Sequence, residues 1–247
     1  LIGNLGDDAL NGNAGNDTIA FATTGGFIPD LEPGDDSISG GEGDDSIAGG
    51  SGGDKINGDG GADNIYGDSD DGLPLPGNDT IDGGAGNDIL HSAGSGVYTL
   101  EANNPGNTLS GGDGDDQLYG DFGPDTLYGN NGNDQVNGNA GADVLGGGPG
   151  DDLGTGGDGN DIIGGGDGND GFSGGSGNDY FDMGPGDDAA VGQNGDDILI
   201  GGDGTDELRG NNGTDALYGM DGVDQCYGGA GEDLGDPTCE FYDEDGD

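Results

Sequence analysis

In the stretch GGDGDDQLYGDFGPDTLYGNNGNDQVNGNAGADVLG, residues 111–146, the apolar residues Leu118, Leu127, Val136 and Leu145 return every nine positions. Almost everything between them is glycine or polar. A period of nine with one aliphatic per period is neither the 3.6-residue stripe of a surface helix nor a sustained strand alternation. It predicts one very short strand per repeat, in the last three residues, such as Gln117-Leu118-Tyr119. The middle side chain of each strand faces in and its neighbours face out. One nonapeptide is then half a coil, and two make an 18-residue turn of a flattened solenoid. The predicted class is all-β: a β-solenoid, two nonapeptide repeats per turn.

The register extends along nearly the whole chain. Fourteen nonapeptides run from Gly111 to Asp236 without insertion, and two from Gly3 and four from Leu31 keep the same phase. Two stretched repeats (67–82 and 92–110) and a regular one between them bring the total to 23. The fourth position is Gly in 22 of 23 repeats, Pro105 excepted, and the sixth is Asp in 22, Asn107 excepted. The eighth is Ile, Leu, Val or Phe in 19, and otherwise Gly154, Ala190, Cys226 or Gly235. Three columns held over that distance require a repeated fold. Glycines at the first and fourth positions, and often the second, are expected to take positive φ and form a tight turn. The sixth-position carboxylate closes that turn with an anionic oxygen. The expected division is a roll over 1–236, with insertions near 21–30, 69–76 and 92–105, and a C-terminal cap and acidic tail over 237–247.

Composition changes the picture in two ways. Hydrophobic residues are 28% of the chain, and its formal charge is −51 with Lys55 and Arg209 as the sole Lys and Arg. Such values suit disorder, and only the periodicity argues for a fold. Each half-turn contributes one inward side chain, worth about 1.5–3 kcal/mol at best. The opposing backbone entropy is about 1–2 kcal/mol per residue, and a glycine-rich chain starts from a larger deficit still. Something must therefore hold the turns together. The charge argues against nucleic acid and anionic membranes as partners, which need basic surface, and favours cations. No apolar run of about 20 residues is present, so no membrane insertion is expected. The chain begins at Leu1 without a visible signal peptide and reads as a processed chain or a fragment.

The cation that suits these turns is Ca²⁺, which accepts six to eight oxygens, backbone carbonyls included, in a forgiving geometry. Mg²⁺ keeps its waters, and Zn²⁺ prefers His or Cys, of which the chain has one and two. The repeats GGEGDDSIA (40–48), GGAGNDILH (83–91) and GGSGNDYFD (174–182) resemble the haemolysin-type, or RTX (repeats-in-toxin), calcium-binding nonapeptide G-G-x-G-x-D-x-U-x, with U aliphatic. The resemblance covers essentially residues 3–236. It implies a right-handed parallel β-roll with Ca²⁺ between turns, held by sixth-position carboxylates and turn carbonyls of repeats n and n+2. The implied metal ligands are Asp8, Asp17, Asp36, Asp45, Asp54, Asp63, Asp79 and Asp88. After Asn107, where the local site is in doubt, they continue as Asp116, Asp125, Asp134, Asp143, Asp152, Asp161, Asp170, Asp179, Asp188, Asp197, Asp206, Asp215, Asp224 and Asp233. With 23 repeats, same-side neighbours allow up to about 21 ions.

The remaining residues suggest no catalysis. His91 stands alone at an outward ninth position with no nucleophile marked nearby, so solvent exposure is expected and an enzyme is not. Cys226 and Cys239, in a chain that demands extracellular calcium, read as a disulfide closing the C-terminal end, with a free thiol pair as the alternative. Ninth-position Tyr66, Tyr119, Tyr128, Tyr218 and Tyr227 suit either an exposed strand or a carbohydrate-binding ladder. The three insertions fall in odd repeats and should share one edge of the roll. Along that edge Val144, Ile162, Tyr180 and Ile198 recur at the seventh position, 18 apart; a contact surface and plain strand propensity both account for them. The third position never holds Thr, which counts against an ice-binding ladder. The expected function is a calcium-binding structural β-roll of a secreted or cell-surface protein that folds on meeting extracellular calcium. The alternatives are an adhesin or extracellular filament subunit, self-associating or meeting a cell-surface partner, and the C-terminal module of a larger secreted hydrolase or toxin.

Overall fold

The computed structural model describes residues 9–15, 17–19, 34–68, 77–92, 106–235 and 237–242. Among them every regular element is a strand, and the strands form two twelve-stranded parallel sheets. One sheet takes strands from the odd repeats, the other from the even ones. Each strand pairs with the strand one full turn away, as Leu127 with Leu109 and Leu145. This is the two-repeats-per-turn β-solenoid that the nine-residue period predicts.

The strands are longer than the three residues expected. Most run six residues, through the third position of the next repeat, as in Ile162–Asp167. Along such a strand burial alternates, so the eighth position and the following first position both face the interior. The interior is a single column of buried side chains per sheet, Ile38, Ile56, Ile81, Leu109, Leu127 and onward in the odd one. Because the first position is nearly always glycine, one inward apolar side chain per half-turn is the rule. Met183 breaks it: it sits at a first position, is fully buried, and shares its half-turn with the small Ala190.

Residue size is balanced along the column. In the even sheet Gly154, Phe172 and Ala190 are consecutive partners. A methyl built on Gly154 would overlap the Phe172 ring. The apparent gaps in the aliphatic column are therefore filled by the ring next door, as close packing requires.

The C-terminal end differs from the expected boundary. Residues Cys239–Tyr242 form a further strand paired with Asp224–Ala230, so the even sheet continues past residue 236. A disulfide joins Cys226, at a buried eighth position, to Cys239 in this last strand. The insertions 21–30 and 69–76, and 93–105 of the third, lie outside the described residues, as does Asp8.

On the outer face of the odd sheet the seventh positions stand in register. Val144, Ile162, Tyr180 and Ile198 are consecutive partners. Ile162 is 52% exposed and Ile198 42%, so the row is open to water. It continues through Ala216 to exposed Leu234. It lies on the sheet face rather than among the turns.

Candidate metal centre

Each sixth-position aspartate stands where a turn enters a strand, and its side chain is turned inward. Its two oxygens have different fates. Oδ1 accepts a hydrogen bond from the backbone N–H of the sixth residue one turn earlier, as Asp63 Oδ1 does from Asp45 N–H at 2.8 Å and Asp179 Oδ1 from Asp161 N–H at 2.9 Å. The pattern is continuous along both edges, from Asp17 to Asp224 on one and from Asp36 to Asp233 on the other. Asn107 keeps it going by accepting from Asp79 N–H through its own Oδ1, at 2.8 Å.

Oδ2 has no such partner along most of the column; at Asp125 it accepts from Asp121 N–H at 2.9 Å. It is buried and without a hydrogen bond at Asp45, Asp54, Asp63, Asp79, Asp88 and Asp116, and at every sixth-position aspartate from Asp134 to Asp233. A buried carboxylate oxygen with nothing to accept is costly, so a column of them marks a missing positive partner. Its surroundings are oxygen-rich. A methyl built on Gly147 would overlap Asp152 Oδ2 and would lie 2.6 Å from the Gly165 carbonyl oxygen. The same holds for Gly40 with Asp45 and Gly58, and for Gly210 with Asp215 and Gly228. The glycine that holds the first position in most turns thus leaves this space free, Met183 and Ser92 being the exceptions among the described residues. The expected positive φ is absent there and falls at the second and fourth positions, for example Gly148 (φ 116°) and Gly150 (φ 149°). At the second position Asn130, Asn139 and Asn211 take it too, with φ of 73–76°, as short polar side chains can.

The electrostatics agree with the geometry. Burial, chiefly, pushes Asp54 up to about 8 and Asp79 and Asp143 to about 7, and Asp134, Asp152, Asp170, Asp179, Asp197 and Asp206 to about 6. Neighbouring carboxylates of the same column add to the rise. Among the described residues no three His, Cys, Asp or Glu side chains converge to hold a metal by themselves. A cation here needs carbonyl oxygens as well as carboxylates, which is the donor set Ca²⁺ accepts and Zn²⁺ does not. Orphaned Oδ2 atoms, nearby glycine carbonyls and a space kept free of Cβ together fit Ca²⁺.

A family model for the RTX calcium-binding nonapeptide repeat matches residues 1–21, 32–56, 39–73, 75–95, 110–145, 146–181, 184–217 and 200–234. The chain belongs to the RTX repeat family. Its nonapeptides are calcium-binding repeats wound into a β-roll. A search of curated proteins found no match.

Sequence reasoning missed a second ladder in the RTX turns. At the fifth position Asn133 N–H donates to Asp115 Oδ1 (2.9 Å), Asp151 N–H to Asn133 Oδ1 (2.8 Å) and Asn169 N–H to Asp151 Oδ1 (2.8 Å). It continues through Asp187 to Thr205. These bonds run toward the preceding turn, opposite in direction to the sixth-position ladder. The signal was present as a bias to Asp and Asn at the fifth position, masked by the stronger glycine columns. His91 also departs from expectation. It is half-buried, stacked between Tyr66 at 4.6 Å and Tyr119 at 4.9 Å between ring centroids. Its ninth position holds, but two aromatic neighbours in register shield it. Tyr227 likewise meets a neighbour, the Arg209 guanidinium 4.8 Å above its ring.

Proposed function

We propose that this RTX roll is a calcium-switched structural module of a secreted or cell-surface protein, with the sixth-position aspartates as its metal ligands. The observation that carries the reading is the column of buried Oδ2 atoms without a partner. Without a cation these carboxylates repel one another and oppose folding. With one, each pair of neighbouring turns is joined through Oδ2 and glycine carbonyls. Binding confined to the folded state stabilises it by mass action. Calcium supplies the positive charge and the extra coordination; the chain supplies the cradle, the inward carboxylate and the closed end. The disulfide at Cys226–Cys239 suits an oxidising compartment and supports the extracellular assignment.

Circular dichroism should show a largely disordered chain in excess chelator and β structure on adding calcium. A stable β signal in chelator at neutral pH, with metal absence confirmed by elemental analysis, would sink the switch.

The apolar row on the odd face favours a second role, self-association with another copy of the chain. The row carries no charge from Val144 to Leu234, so it is the part of a highly acidic surface on which two copies can meet without repulsion. Ile162→Ser with Ile198→Ser should lower the sedimentation coefficient in calcium while leaving the β signal unchanged. Matched changes at Leu153 and Ala189 on the even face should not; equal effects, or none, would reject the odd face.

A further inference from the structure

The sixth-position column loses a carboxylate at Asn107, whose Nδ2 is buried without a hydrogen-bond partner. Around Asp79, whose N–H donates to Asn107, lie oxygens from outside the column. Asp68, a second-position residue, is 4% exposed, and Ser92, at a first position otherwise held by glycine in most turns, is 0% exposed. Asp68 N–H donates to the Ser92 carbonyl at 3.1 Å. The Asp68 carboxylate accepts from Gly77 N–H across the neck of the 69–76 insertion, yet its Oδ2 has no partner, and neither does Ser92 Oγ. Asp79 Oδ2 is likewise unpartnered. A methyl on Gly67 would overlap both that oxygen and the Ser92 carbonyl, so the two lie about a common point beside Asp68.

We propose that Asp68, Asp79 and Ser92 form a cation site of a second kind, taking one hard divalent ion such as Ca²⁺ at the neck of the insertions. Two carboxylates, a hydroxyl and a carbonyl supply oxygen only, and among the described residues neither carboxylate is paired with a lysine, arginine or histidine. Asp54 and Asp121 border the site and deepen its negative potential. Asp68 thereby restores the charge that Asn107 removes. The inference rests on the calcium-binding reading of the roll.

The test is the number of calcium ions retained by the full chain, counted by native mass spectrometry after dialysis against low calcium. Asp68→Asn should retain one ion fewer than the wild type. Asp82→Asn, which removes an exposed carboxylate from a nearby strand, should retain the same number as the wild type. Should Asp68→Asn fail to fold, Asp68→Gly provides a second variant that restores a residue common at the second position, and it too should lose one ion. A wild-type chain that binds no calcium overturns the reading of the whole roll. A wild-type chain that binds many, with both site variants retaining the same number, overturns this site alone.

Discussion

From Gly111 to Gly235 the nonapeptides follow one another without a break, whereas between Asp36 and Ser110 two of them are opened by insertions. In the regular segment the sixth-position carboxylates share one environment, with Asp134, Asp152, Asp170, Asp188 and Asp206 all raised to about 6 or 7. In the interrupted segment Asp63 and Asp79 stay at about 6 and 7, but Asp54 reaches about 8, and Asp68, a residue outside the column, about 9. The difference teaches that a repeat produces one site many times only while both neighbouring turns are regular. Where a turn is opened, other side chains enter the space and the site changes character.

Removing calcium while changing pH tests this contrast most severely. The buried aspartates have folded-state pKa values above the 3.8 of the free side chain, so the folded chain holds more protons than the unfolded one. Their favourable contribution is therefore complete below about 3.8 and is lost as pH rises. In chelator the β signal should persist near pH 4 and be gone at pH 7. Loss at Asp134 and its equivalents levels off near pH 6, while loss at Asp54 continues to about 8. Hydrogen exchange between pH 4 and 7 should accordingly show protection at Lys55–Gly60, next to Asp54, still falling after protection at Gln135–Ala140, next to Asp134, has levelled off. A β signal unchanged from pH 4 to 8 in chelator would remove the electrostatic account.

Next in size are the core substitutions. Phe172→Ala empties a ring that also fills the space beside Gly154, and should cost about 3–5 kcal/mol in calcium. Ile65→Ala, in the interrupted segment with ordinary aliphatic partners at Ile47 and Leu90, should cost less, about 2–4 kcal/mol. Chemical denaturation in saturating calcium compares them, and equal costs would contradict the size balance along the even column.

Gly147→Ala places a methyl against Asp152 Oδ2 and the Gly165 carbonyl. It should cost about 1–3 kcal/mol from overpacking and remove one bound calcium. Met183→Gly, at the equivalent position, should lose packing but no ion. Elemental analysis distinguishes these outcomes; a full ion count in the Gly147 variant would show that the cradle is not the binding space.

The smallest effect belongs to the fifth-position ladder. Asn169→Ala removes the acceptor of Asp187 N–H and should cost about 0.5–1.5 kcal/mol. Because these side chains are exposed, water can replace the lost partner, and calcium stoichiometry should be unchanged.

The solenoid, its two repeats per turn and the pairing of Leu127 with Leu109 and Leu145 were legible in the sequence, because each depends on a period that local turn chemistry repeats. The place of the sixth-position aspartates at the close of each turn was legible too, but the burial of their side chains was seen only in the structure. The reason for the first-position glycine was not legible. Its φ is ordinary, and what excludes a side chain is a carboxylate five residues on and a carbonyl one turn away. His91 was misjudged as exposed for a similar reason, since its aromatic neighbours come from other turns, 25 and 28 residues away in sequence.

By itself, then, the sequence determined how many coils form, which residues face in and which cation chemistry the turns invite, since all three follow from a repeated local unit. Only the tertiary structure decided where that unit is altered. It set the Phe172 ring into the space of Gly154, joined Cys226 to Cys239 across the last turn, and brought the Asp79 carboxylate and the Ser92 carbonyl together about Gly67, next to Asp68. Those arrangements depend on distances between turns at places where the period fails, and a period carries no information about its own exceptions.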